Sequence, residues 1–206
     1  QGKIYAVASG YGTVSNLFER YDVEKNQWES LPNLGEALHG VSVVALDEKI
    51  YVIGGQNESY QVRSDVRVYD PQTESWSNAA PLPSPLFKTK AIAYGGAIYL
   101  INGSNSIGYF DNFLKYSPDT NSWAQLANAP FAGDGRKLVV YLDRIWAIGG
   151  LNSGNSAPVS RVDSFDPKTN SWHAEASLTT SRNWPVAWVG NEGIYVGGGN
   201  NGAPLN

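Results

Sequence analysis

The chain has 206 residues, 42% of them apolar, with seven Trp, twelve Tyr and 22 Gly but only 17% charged residues, a balance that suits many short strands and tight turns around a sizeable core. A net charge of −4 with no Lys/Arg cluster lacks the footprint of a nucleic-acid binder, and no apolar run reaches the ~20 residues a membrane helix needs. The absence of Cys excludes disulfides, thiolate metal sites and cysteine nucleophiles.

The chain opens on "QGKIYAV", inside a strand and without an initiator Met or signal peptide, and reads as a piece of a longer protein. From there it repeats itself. An apolar pair recurs at Ile4-Tyr5, Ile50-Tyr51, Ile98-Tyr99, Ile145-Trp146 and Ile194-Tyr195, in steps of 46, 48, 47 and 49 residues. An aromatic series at Tyr21, Tyr69, Tyr116 and Phe165 and a Trp series at Trp28, Trp76, Trp123 and Trp172 stay in phase with it. The repeats run approximately over 1–46, 47–95, 96–142 and 143–190, with an incomplete fifth at 191–206.

Each full unit predicts four strands, A to D. Strand A is "GVSVVAL", "TKAIAYG", "RKLVVYL" or "PVAWVG"; a short turn leads to strand B, "KIYVIGG" and its equivalents. Strand C ends at the recurring Tyr or Phe, and a Pro/Asp/Asn turn such as "DPQT" leads to strand D around the Trp. The all-apolar "IYVI" of strand B should be buried on both faces. Four-stranded sheets repeated at this period fit blades stacked around an axis, a β-propeller. The chain holds B-C-D, three full blades and a final A-B.

These units resemble Kelch repeats: an apolar-aromatic strand, a diglycine, Tyr-Asp-Pro, then Trp, at a spacing near fifty. The second unit, with Gly54-Gly55, Tyr69-Asp70-Pro71 and Trp76, matches best. The fourth keeps Gly149-Gly150 and Asp166, the fifth Gly198-Gly199; the first has Ala8-Ser9 and the third Asn102-Gly103 with Ser117. The resemblance implies an all-β Kelch-type propeller, here about four blades of a ring of about six. Missing blades or a second chain would cover its end faces and edges.

Several chemical motifs have a stronger structural reading. "GGGNNG" at 197–202 fits G-x-G-x-x-G, but it is in phase with the other diglycines, and a dinucleotide site needs a following helix and a distant acid. His39 and His173 fall in different strands, with no G-x-S-x-G elbow and too few His for a zinc site. Asp22, Asp70, Asp119 and Asp166 suit turn capping better than paired acid–base work. The sequons at Asn57 and Asn102 are short enough to arise by chance. Kelch-like copper oxidases depend on a Cys-Tyr crosslink that this segment cannot form. No cofactor, metal or catalytic residue is expected.

The variable segments are the B–C loops ("GYGTVSN", "QNESYQVRSD", "SNSIGYFDN", "LNSGNSAPVS") and the D–A segments ("LGEALHG", "PSPLFKTK", "FAGDGRK", "TTSRNW"). In a propeller these share one face. They carry Gln56, Asn57, Tyr60, Arg63, Phe87, Tyr109, Arg136, Arg182, Asn183 and Trp184, and exposed aromatics and Arg are the types enriched at binding hot spots. The resemblance also implies an Arg twelve residues before the strand B pair, which in Kelch-like ubiquitin-ligase adaptors grips acidic peptides. Only Arg182 fits; Leu38, Leu86 and Gly133 stand elsewhere.

The sequence therefore points to a non-catalytic binding module for a protein or peptide. A carbohydrate-binding or sialate-mutarotase-like propeller is the alternative, and a structural part of an extracellular assembly a third reading. The lack of Cys and the "TNSW" style of repeat lean toward an extracellular or periplasmic setting.

Overall fold

The computed structural model describes residues 3–7, 13–154 and 156–202. Ala8-Ser9, where the first unit departs from the diglycine, lies outside them. Contacts divide the chain into two compact units, Gln1–Phe87 and Lys88–Asn206.

The first unit opens with a three-stranded sheet of β1 (Lys3–Val7), β2 (Phe18–Asp22) and β3 (Gln27–Ser30). A four-stranded sheet follows, β4 (Ser42–Leu46), β5 (Lys49–Ile53), β6 (Val66–Asp70) and β7 (Ser75–Ala79), paired antiparallel in chain order. The second unit repeats the plan in β8 (Lys90–Tyr94), β9 (Ala97–Ile101), β10 (Phe113–Ser117) and β11 (Ser122–Gln125). Short strands β12 (Gly133–Asp134), β15 (Leu151–Asn152) and β16 (Ala157–Pro158) pair among the loops. The next blade is β13 (Lys137–Tyr141), β14 (Arg144–Ile148), β17 (Val162–Asp166) and β18 (Ser171–Ala174), and β19 (Val186–Gly190) with β20 (Gly193–Gly197) forms the last pair. Within this unit β13 lies beside both β8 and β19.

The aromatic landmarks are cross-strand partners. Tyr21 faces Trp28, Tyr69 faces Trp76, Tyr116 faces Trp123 and Phe165 faces Trp172, with ring centroids 5.3, 5.2, 5.1 and 5.2 Å apart. This near-constant geometry is why the two series keep phase. Trp76 and Trp172 also tie blades to the preceding loops, their indole N–H donating to the Pro32 and Ala127 carbonyls at 2.7 and 2.9 Å. The β5 interior is buried from Ile50 to Ile53 and β9 throughout, so the two-faced burial of strand B holds there. It does not hold in β1 or β20, where Ile4 and Tyr195 are exposed.

The expected turn role of the carboxylates is visible at three positions. Asp70 Oδ1 accepts from the Gln72 N–H, Asp166 Oδ1 from that of Lys168, and Asp22 Oδ1 from those of Glu24 and Lys25. Asp119 lies in a single 3-10 turn, Pro118–Thr120.

The diglycines have a two-part cause. Both residues of each pair take positive φ, for example 63° and 105° at Gly54-Gly55 and 61° and 109° at Gly149-Gly150. A Cβ on Gly54 would also collide with the Leu86 carbonyl oxygen, and one on Gly149 with that of Arg182. In three of the units the second glycine N–H is spent the same way: Gly55 donates to Leu86, Gly103 to Gly133 and Gly150 to Arg182. Asn102 takes the first position at φ 55°, the non-glycine type that tolerates left-handed backbone best. "GGGNNG" belongs to this series, with Gly198 and Gly199 at 59° and 85° and Asn200 bridged to Asn183.

Candidate functional site

The candidate residues are divided between the two units. In the first, His39 Nε2 and Gln56 Oε1 are 3.0 Å apart, and Gln56 Nε2 donates to the Tyr60 carbonyl at 3.1 Å. The Phe87 ring meets His39 edge-on at 5.9 Å between centroids. Beside them sits Glu36, which the residue types alone did not single out. It accepts from Asn57 Nδ2 at 2.9 Å, from Arg63 through Nε (3.0 and 3.2 Å) and Nη2, and from Arg67 Nη2 at 3.4 Å. The Arg63 hydrogen bond, opposed by burial and helped by Asn57, holds the Glu36 carboxyl below the usual carboxylate range. Arg63 is therefore ion-paired within a network rather than an open cation. A shallow cavity of about 190 Å³ lined by Glu36, Ala37, Asn57, Glu58 and Ser59 opens next to it. Tyr60 stands out from the loop, 82% exposed with φ 59°.

In the second unit the structure corrects one expectation outright. Arg136, expected as an exposed hot spot, is 1% exposed. Its Nη2 donates to Asp163 Oδ2 and to the Ala147 carbonyl, both at 2.6 Å, and its guanidinium lies 4.7 Å from the Phe131 ring centroid. Arg136 heads strand A, where the pleat turns the side chain into the blade rather than toward the loops. Asp163 is shared with Arg161, whose Nε donates at 2.8 and 3.0 Å. The Asn102 sequon is likewise unusable, since its side chain is buried and its Nδ2 donates to the Phe110 and Phe131 carbonyls.

Arg182 is partly committed to the fold. Its Nη1 donates to the Gly198 carbonyl at 2.6 Å, and its own carbonyl takes the Gly150 N–H. Asn183 pairs with Asn200 and its Oδ1 packs on Gly135. Tyr109 bridges Ser104 within its own loop and is 38% exposed. Trp184 is 37% exposed, with its backbone N–H donating to the Gly135 carbonyl at 3.0 Å.

The position of Trp184 recurs. The residue two before strand A is left-handed in every unit where it is described: Gly40 (φ 64°), Lys88 (57°), Gly135 (68°) and Trp184 (55°). Glycine meets this requirement without strain, whereas a bulky side chain there costs about 1–2 kcal/mol. Around Trp184 gather residues that the reading of loops overlooked. Lys90 Nζ lies 4.4 Å from the Trp184 ring centroid, and Lys88 Nζ is 3.9 Å from Asp134 Oδ2. Burial lowers the Lys90 pKa, helped by the charge of Lys137 and opposed by Asp134. Burial raises that of Asp134, against the pull of Lys88 and Lys90. The available signal was register: Lys90 and Lys137 are 47 residues apart, the interval between Ile98 and Ile145.

Comparison with known proteins matches this architecture. Residues 2–199 match the family model described as the KLHDC2/KLHL20/DRC7 Kelch-repeats domain. Alpha-scruin of Limulus polyphemus is 25% identical over 201 residues, 98% of this chain and 16% of that protein. Kelch-like protein 21 of Bos taurus is 36% identical over 67 residues, 32% of this chain and 11% of that protein. The chain thus spans less than a fifth of the length of these relatives. The solved structure of YjhT superposes with a TM-score of 0.82 at 19% identity, over 96% of this chain and 70% of that one, a likeness of fold. No helix among the described residues is long and apolar enough to cross a membrane. The phased Tyr–Trp pairs, the left-handed diglycines, the antiparallel four-stranded sheets and the family match together make this chain a member of the Kelch-repeat β-propeller family.

Proposed function

We propose that the chain is a non-catalytic binding module that recognises a protein or peptide segment through its B–C and D–A loops. Trp184 is the observation that carries this reading: a large aromatic side chain kept partly exposed at a left-handed position where Gly40 and Gly135 show that glycine suffices. Among the loop residues, a large aromatic at such a position offers the kind of side chain that anchors binding hot spots. Tyr60 and Tyr109, both exposed on B–C loops, offer the same type of surface. Further blades or a second chain complete the ring and cover Trp28, Trp188 and Tyr195, which are exposed on the sheets β1–β3 and β19–β20.

The test is selection of binding peptides from a display library with the intact chain, followed by affinity measurement on Trp184→Ala. The expected loss is about tenfold or more, with the thermal transition retained. Unchanged affinity would remove Trp184 from the site. Selective hits on a glycan array together with no peptide enrichment would replace the reading with carbohydrate binding.

A further inference from the structure

In three units the residue after the diglycine pairs through its backbone with the residue before the left-handed position: Gln56 with His39, Leu151 with Asp134 and Asn200 with Asn183. Gln56 and His39 exchange both N–H bonds at 2.9 Å. Here alone among the described residues the side chains continue the brace. Leu151 has no polar side-chain atom, and Asn183 Oδ1 has no partner, whereas His39 Nε2 and Gln56 Oε1 are 3.0 Å apart. The other end of the same amide, Gln56 Nε2, lies 3.1 Å from the Tyr60 carbonyl oxygen. That oxygen can only accept, so the amide must turn its NH2 toward Tyr60 and its oxygen toward His39. The imidazole must then donate, which puts the proton of the neutral ring on Nε2. The Phe87 ring packs against the same imidazole.

We propose that His39 and Gln56 are positioning residues that hold the B–C loop so that Tyr60 meets the bound peptide, an inference that rests on the binding reading above. Tyr60 needs such a hold. Its side chain is 82% exposed, so little packing supports its φ of 59°, a backbone that L side chains rarely adopt. Asn57 closes the turn from within: its carbonyl accepts the Tyr60 N–H at 3.0 Å, and its Oδ1 accepts those of Ser59 and Gln61 at 3.1 and 2.9 Å. The Gln56 amide then joins the Tyr60 carbonyl to the D–A segment through His39. An aromatic held in place before contact loses less freedom on binding than one on a loose loop. The relay thus adds affinity without touching the ligand.

The test has two parts on the intact, isotope-labelled chain. Without ligand, long-range proton–nitrogen correlation should show the neutral His39 ring protonated at Nε2. Gln56→Leu, which keeps the backbone bridge, should quicken amide exchange at Tyr60 and Gln61 about two- to tenfold, with the thermal transition retained. With a peptide selected from the display library, Tyr60→Ala should weaken binding about tenfold and Gln56→Leu about two- to tenfold. Gln56→Leu placed in the Tyr60→Ala chain should add nothing, because Gln56 acts through Tyr60. Should Gln56→Leu fail to fold, His39→Phe, which removes the ring donor, carries the same measurements. A proton on Nδ1, unchanged loop exchange, or affinity losses that simply add would each overturn the proposal. A chain that selects no peptide would count against the binding reading instead, and the tautomer and loop exchange decide the relay without it.

Discussion

The two loop clusters use similar residue types to opposite ends. In the first unit Glu36 gathers Arg63, Arg67 and Asn57, so its carboxylate is shared between two cations near the surface. In the second, one cation is sunk completely, Arg136 on Asp163, while Lys90 lies over the Trp184 ring. The lesson concerns where a loop residue's charge goes. An Arg at the head of strand A can be a structural strut, so its residue type alone does not mark a contact.

The sharpest way to break that contrast is at the struts. Asp163→Ala leaves Arg136 buried without its partner and should cost about 3–5 kcal/mol in chemical denaturation. Glu36→Ala, at a partly solvated network, should cost about 1 kcal/mol or less. Equal losses at the two sites would mean that the networks do not differ as described.

Acid titration gives a second contrast, with opposite signs. Hydrogen bonding from Arg63 depresses the folded pKa of Glu36, so its stabilisation is present above the unfolded-state value and lost as pH falls through the folded one. Burial raises the folded pKa of Asp134, so its stability is full below the ordinary carboxylate value and is lost as pH rises toward the raised one. Glu36→Gln should therefore flatten the acid limb of the thermal stability profile. Asp134→Asn should raise the transition temperature near neutral pH, with the gain shrinking on acidification.

The blades were legible because their causes are periodic. A Tyr must face a Trp at one register, and a diglycine must turn left-handed under a neighbouring carbonyl, so each signal repeats every 46 to 49 residues. The site was legible only as a set of loops. Arg136 reads as exposed when counted as a loop residue, because its burial depends on Asp163, 27 positions away. Glu36 gained its role from Arg63 by the same kind of long-range contact. Lys90 was hidden by belonging to a strand, although its phase with Lys137 was there to be read. The left-handed position shared by Gly40, Lys88, Gly135 and Trp184 left no compositional trace, since two of the four are not glycine.

A smaller effect sharpens the division between scaffold and loops. The A–B turns also need left-handed pairs, supplied by Asp47-Glu48, Gly95-Gly96 and Leu142-Asp143. Leu142, exposed at φ 49°, gains nothing there, so Leu142→Asn should stabilise the chain by about 0.5–1 kcal/mol in thermal unfolding. Relief of strain at a turn without a contact role should cost no binding, in contrast to Trp184.

The central claim is that ligand meets the D–A and B–C loops and not the A–B turns. Hydrogen exchange of the intact chain, with and without a selected peptide, measures this directly. The account predicts slowed exchange in residues 133–137 and 182–186 and in the B–C loops, with no change at residues 47–48, 95–96 and 142–143. Protection confined to those A–B turns would contradict it.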